Sequence, residues 1–130
     1  MATKRLHIDR TDTSPGIELD LELGRIAFVG RSLPANGELF YGRVYRWLEE
    51  YLKMPHAATT VDLRLDYLDT SSSKHFYNIF QRLHSANTLG RTVHVNWHYE
   101  SGDEEMAETG KDYQRMFALD FRFIEVEELF

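Results

Sequence analysis

The sequence contains no cysteine. That absence excludes thiol catalysis, thiolate metal ligation and a disulfide framework, and it agrees with a reducing cytoplasm, which is the expected location. Long apolar runs are missing as well. None approaches the roughly 20 residues a helix needs to cross a bilayer, and the basic start "MATKRLHIDRTD" leads into no apolar stretch of the kind that marks an export signal. Direct membrane insertion is not expected. Nor is there a cationic excess: 15 Lys and Arg stand against 21 Asp and Glu, a formal net charge of -6. Non-specific nucleic-acid binding rests on cationic neutralisation of phosphates, so nucleic acid is not an expected partner. The stretch "GRSLPANGELF" has two glycines but neither the dinucleotide nor the P-loop spacing. It reads as a strand exit, a turn at Pro34 and a helix start near Asn36 or Gly37, and no cofactor is expected.

What is present is enough for a packed core. The chain has 130 residues, of which 42% are hydrophobic and 13% aromatic, which argues against disorder and for one domain over residues 1–130 that needs no staples. Four segments alternate with period two. Ile17, Leu19, Leu21 and Leu23 oppose Glu18, Asp20 and Glu22; Val61, Leu63, Leu65 and Tyr67 oppose Asp62, Arg64 and Asp66; Val93, Val95, Trp97 and Tyr99 oppose His94, Asn96 and His98; Leu119, Phe121 and Phe123 oppose Asp120 and Arg122. Residues 25–29 read as a further strand, joined to the first by a tight turn at Gly24.

Three segments have helical spacing instead. Their stripes are Phe40, Val44, Trp47, Leu48, Tyr51 and Leu52; then Phe76, Ile79, Phe80 and Leu83; then Met106, Gly110, Tyr113 and Phe117. Strands alternating with helices predict an α/β fold with a mixed, largely parallel sheet. Because each strand is apolar on one side only, the helices should pack mainly on one face and leave a polar, partly open face opposite.

The chemistry-bearing candidates are few. His94 and His98 lie on one strand face about 13 Å apart at ~3.3 Å per residue, too far to share a metal, and a surface role is expected for them. Asp103, Glu104, Glu105 and Glu108 lack a calcium-type ligand loop and read as a solvated helix start, so no metal is expected. The run "DTSSSK" is different. Asp69, Thr70, Ser71, Ser72, Ser73 and Lys74 stand at a strand-to-helix junction, where one or two hydroxyls would suffice as caps. Ser71 and Lys74 have the S-x-x-K spacing of serine acyl-enzymes, but the S-D-N and K-T-G companions are absent. A small serine hydrolase or acyltransferase is thus the alternative to a chain with no catalytic residue. A phosphate on a hydroxyl here would add about -1.5 to -2 charges near a helix start, with Asp66 and Asp69 as the expected opposing charges.

Taken together, "GRSLPANGELFYGRVYRWLEEYL", "LRLDYLDTSSSKHFYNIF" and "VHVNWHYESGDEEMAETGKDY" resemble the three signature blocks of the SiaC family of bacterial regulatory phosphoproteins, in order. The resemblance implies a fold similar to the anti-sigma-factor antagonist (STAS) domains and a non-enzymatic switch phosphorylated at Thr70, the threonine of the "T-S-S" motif. Asp69, Ser71, Ser72, Ser73 and Lys74 become the phosphosite neighbourhood. The implied partners are a serine/threonine kinase of the anti-sigma-factor type, a PP2C-type phosphatase and, as effector, a diguanylate cyclase that makes cyclic di-GMP, with biofilm control as the output. Asp69 stands where the family commonly has asparagine, Ala35 where it has glutamate, and Ser14 where it has threonine; these departures bear on partner choice.

Overall fold

The computed structural model describes residues 4–88 and 90–130. Its elements are β1 (Arg5–Ile8), β2 (Gly16–Asp20), β3 (Arg25–Ser32), α1 (Gly37–Tyr51), β4 (Ala58–Leu68), α2 (Thr70–Thr88), β5 (Thr92–Glu100), α3 (Glu104–Met116) and β6 (Asp120–Val126). The strands form one six-stranded sheet in sequence order. β1, β2 and β3 are antiparallel neighbours, whereas β3 to β6 are parallel. The sheet is therefore mixed and largely parallel, as the strand–helix alternation predicts.

Register explains the one-sidedness. Ile17, Phe28, Leu63, Trp97 and Phe123 sit side by side across five strands, and Leu19, Ile26, Val61, Val95 and Phe121 form the next row. Except for the half-buried Phe123, both rows are buried, and they share one core with Tyr41, Val44, Trp47, Leu48 and Tyr51 of α1, with Phe76, Ile79, Phe80 and Leu83 of α2, and with Met106 and Tyr113 of α3. The helices thus cover one face, as expected. A Cβ at Gly110 would lie 2.7 Å from the Trp97 indole and 2.8 Å from the Phe123 ring, so glycine lets α3 approach β5 and β6 this closely.

Three details differ from the sequence reading. β1 is an additional strand, paired to β2 from Arg5 opposite Asp20 to Ile8 opposite Ile17; two apolar positions in "RLHI" are too few to show a period. The β2–β3 turn starts sooner than expected, because the Asp20 carboxylate accepts the N–H groups of Glu22 and Leu23 and stops the strand at Asp20, leaving Leu23 exposed. His98 is buried and donates through Nδ1 to the Leu63 carbonyl, so its expected surface role is not what it has. The polar face is partly covered as well: Leu129 is buried with its N–H on the Glu100 carboxylate, and the Arg10 guanidinium lies 4.4 Å over the Phe130 ring. Among the described residues no helix is long and apolar enough to cross a membrane.

Candidate functional site

α2 begins where β4 stops, and the junction is held by a carboxylate. The Asp69 N–H donates to the Ser32 carbonyl at 2.9 Å, its Oδ1 accepts the Ser72 N–H at 2.7 Å, and its carbonyl accepts the Ser73 N–H at 2.9 Å. Asp69 is the helix cap, in place of the hydroxyl expected from the sequence. A capping carboxylate satisfies a free amide and complements the positive end of the helix. The four hydroxyls are therefore pushed into the first turn, where each has different surroundings.

Ser72 is fully buried. Its hydroxyl donates to the Ser32 carbonyl at 3.0 Å and so accepts from Ser32 Oγ at 2.6 Å, which in turn accepts from the Tyr41 hydroxyl at 2.5 Å. This chain ties β3, α1 and α2 together, and burial pushes the Tyr41 phenol well above its ordinary range. Ser73 is half-buried, and its carbonyl accepts from the Tyr113 hydroxyl at 2.7 Å, joining α2 to α3. Burial raises the Tyr113 phenol to about 12. Thr70 and Ser71 are exposed and neither makes a side-chain hydrogen bond among the described residues.

Thr70 stands at a groove of about 580 Å³ between α2 and α3, with Lys74, Tyr77, Thr109, Asp112 and Met116 among its walls. Tyr77 is 39% exposed and Met116 52%, so the groove presents apolar surface beside the hydroxyl. Lys74 forms no ion pair among the described residues. Asp66, expected to oppose a phosphate on Thr70, instead pairs with Arg31 at 3.1 Å and borders a different cavity with Arg10 and Phe130. Asp69 is the chain neighbour of Thr70, and Asp112, paired with Arg115 at 2.6 Å, lies across the groove.

Ser71 faces the other way, toward Gly37 at the start of α1, so the hydroxyl and amine of the S-x-x-K pair open onto different sides of α2. His94 pairs with Asp120 at 2.7 Å. Asp103 caps α3 by accepting the Met106 N–H at 3.1 Å, and no group of three or more metal-ligating side chains occurs among the described residues. Sequence reasoning missed Tyr77, Asp112 and Met116 as neighbours of Thr70. A signal existed for two of them, since Tyr77 and Met116 are apolar residues lying off the stripes that face the core.

The sequence profile described as "SiaC family regulatory phosphoprotein" matches residues 8–126. The chain belongs to the SiaC family. An uncharacterized protein of Pseudomonas aeruginosa (strain UCBPP-PA14) is 37% identical over 109 residues, covering 84% of this chain and 86% of that protein. The structure of SiaC of Pseudomonas aeruginosa is similar with a TM-score of 0.87 at 32% identity, over 95% of this chain and 100% of that one. A crystal structure of the diguanylate cyclase SiaD in complex with its activator SiaC, also from Pseudomonas aeruginosa, matches with a TM-score of 0.87 at 34% identity, over 93% of this chain and 99% of the matching chain. The SiaC-family match includes the whole β4–α2 junction and both walls of the Thr70 groove.

Proposed function

We propose that this protein is a non-enzymatic regulator that binds and activates a diguanylate cyclase, and that phosphorylation of Thr70 switches this binding off. The observation that carries the reading is Thr70 itself: an exposed hydroxyl at the first position of α2, on the rim of a groove that displays Tyr77 and Met116. The complex of a family member with its cyclase supports the choice of effector. A kinase of the anti-sigma-factor type adds the phosphate and a PP2C-type phosphatase removes it. Ser72 and Ser73 belong to the scaffold that fixes the junction, whereas Ser71 and Lys74 flank the modified residue. A hydrolase using Ser71 and Lys74 is the weaker reading, because the two open onto different sides of α2.

A dianion on Thr70 would share its groove with Lys74 and with Asp112, itself paired with Arg115 at 2.6 Å, and would have Asp69 as its chain neighbour. Buried in an interface, such a charge must be paired or desolvated at a cost of several kcal/mol. The test is a cyclase assay on reconstituted components with the modified residue mapped by mass spectrometry. Thr70→Ala should resist the kinase and still raise cyclic di-GMP output, while Thr70→Asp should activate less well, since a carboxylate carries part of the charge of a phosphate. Phosphate found only on another residue, or full activation by protein phosphorylated at Thr70, would remove the switch from this position.

A further inference from the structure

The carboxylates of α1 all have cationic or aromatic company within the chain. Glu38 acts electrostatically on Tyr45 and His75, Glu49 borders a cavity with Lys53 and Arg82, and Glu50 pairs with Lys53 at 2.9 Å. Two arginines of the same helix have no such partner. Arg43 and Arg46 are exposed and form no ion pair among the described residues. Three positions apart, they share one face of the helix. The Arg43 guanidinium lies 5.7 Å from the centre of the Phe40 ring, and Arg46 reaches back over Gly42, where a Cβ would stand 3.5 Å from its Nη1. In a chain of net charge -6, this pair is a local reversal of sign.

Both arginines border a cavity of about 490 Å³, with Thr13, Pro34, Leu39 and Phe40 among its other walls and no carboxylate among the described residues that line it. It lies on the flank of α1 away from α2, since Tyr45 on the near flank bonds to His75 of α2. Leu39 is 75% exposed, because it falls off the stripe that faces the core. Hydrogen bonds fix the walls. The Leu33 N–H donates to the Thr13 carbonyl at 2.8 Å, the Asn36 side chain takes the Leu39 N–H at 3.0 Å, and the Asn36 carbonyl takes that of Phe40 at 3.0 Å. A surface held in this way is formed before a partner arrives, so binding spends little on ordering it.

We propose that this flank of α1 docks a segment of a partner protein in which acidic residues flank an apolar one. The apolar side chain fills the cavity against Leu39 and Phe40, and the carboxylates pair with Arg43 and Arg46. Each half of that choice comes from the surface: exposed apolar side chains favour an apolar anchor, and the guanidinium fork matches a carboxylate through two parallel hydrogen bonds. A nucleic-acid backbone would meet these two cations and then the negative charge of the rest of the chain. The site stands independently of the Thr70 switch, whose groove lies between α2 and α3.

The probe is a library of random peptides displayed on phage and selected on the immobilised full chain, with the selected peptides then titrated into the labelled protein by NMR. They should carry Asp or Glu around Leu, Ile, Met or Phe, and should shift the resonances of Thr13, Leu39, Phe40 and Arg43 saturably. Arg43→Glu combined with Arg46→Glu should weaken their affinity at least about tenfold, equivalent to about 1.4 kcal/mol, and Leu39→Ala should weaken it as well. Arg82→Ala removes the same charge on the α2 side and should leave it unchanged. No enrichment, sequences lacking either the acidic residues or the apolar anchor, shifts confined to other residues, undiminished binding to the double variant or to Leu39→Ala, or an equal loss in Arg82→Ala would overturn the proposal. So would the same shifts on raising the concentration of the chain alone, which would assign this face to a second copy.

Discussion

Ser72 and Ser71 are chemically identical neighbours with opposite roles. Ser72→Ala leaves the Ser32 hydroxyl without its acceptor inside the core. It should cost about 1–3 kcal/mol in urea denaturation, whereas Ser71→Ala, at an exposed position, should stay within about 0.5 kcal/mol. Equal effects would contradict the buried hydroxyl chain. His75 gives a pH prediction whose sign follows from burial. The folded ring titrates below its ordinary value, and the unfolded ring near about 6.5. Protons therefore favour the unfolded chain. The stability that depends on a neutral ring is fully present above about pH 6.5 and is lost as pH falls toward the lower, folded value. The stability gap between the wild type and His75→Gln should narrow from pH 7.5 to 5.5, compared by denaturation at both; a constant or widening gap would count against a buried neutral ring. His7, raised by its hydrogen bonds to Asp9 and Glu18, is present in both chains and cancels in that difference.

The helices test packing more severely than the strands. Phe80 is completely buried and lies within 5.0 Å of Tyr113 and 5.4 Å of Phe121 between ring centroids. Phe80→Ala should cost about 3–5 kcal/mol, and a loss below about 1 kcal/mol would mean that α2 does not seat as described. Gly110→Ala probes the opposite error. Its Cβ would meet two aromatic rings at under 3 Å, so α3 must shift, with an expected cost of about 1–3 kcal/mol by overpacking; an unchanged denaturation midpoint would contradict the close approach. These elements were legible in the sequence because their periods are strong: the stripes of α1, α2 and α3 and the alternation of β4 and β5 each repeat at least three times. β1 was not, since four residues carry no period. Nor was the cap of α2, because an aspartate competes with four hydroxyls for one position and only the backbone geometry decides. The Thr70 groove joins Lys74 and Tyr77 to Asp112 and Met116, and no local pattern announces a contact across some 40 positions of chain.

At the scale of the whole molecule, topology places the site. Because α1, α2 and α3 follow β3, β4 and β5 of the parallel part of the sheet, their N-termini gather at its carboxyl edge, where open α/β sheets carry their ligands. Thr70, at the start of α2, and the groove with Tyr77 and Met116 lie at or near that edge. In the proposed switch, phosphate on Thr70 changes the charge of this surface. The central claim, that phosphate on Thr70 weakens effector binding, is tested most directly by titrating the proposed partner, a diguanylate cyclase, with unphosphorylated protein and with protein carrying phosphate on Thr70 alone, by calorimetry. The account predicts affinity at least about tenfold weaker for the phosphorylated form, a difference of about 1.4 kcal/mol or more. Equal affinities would contradict it.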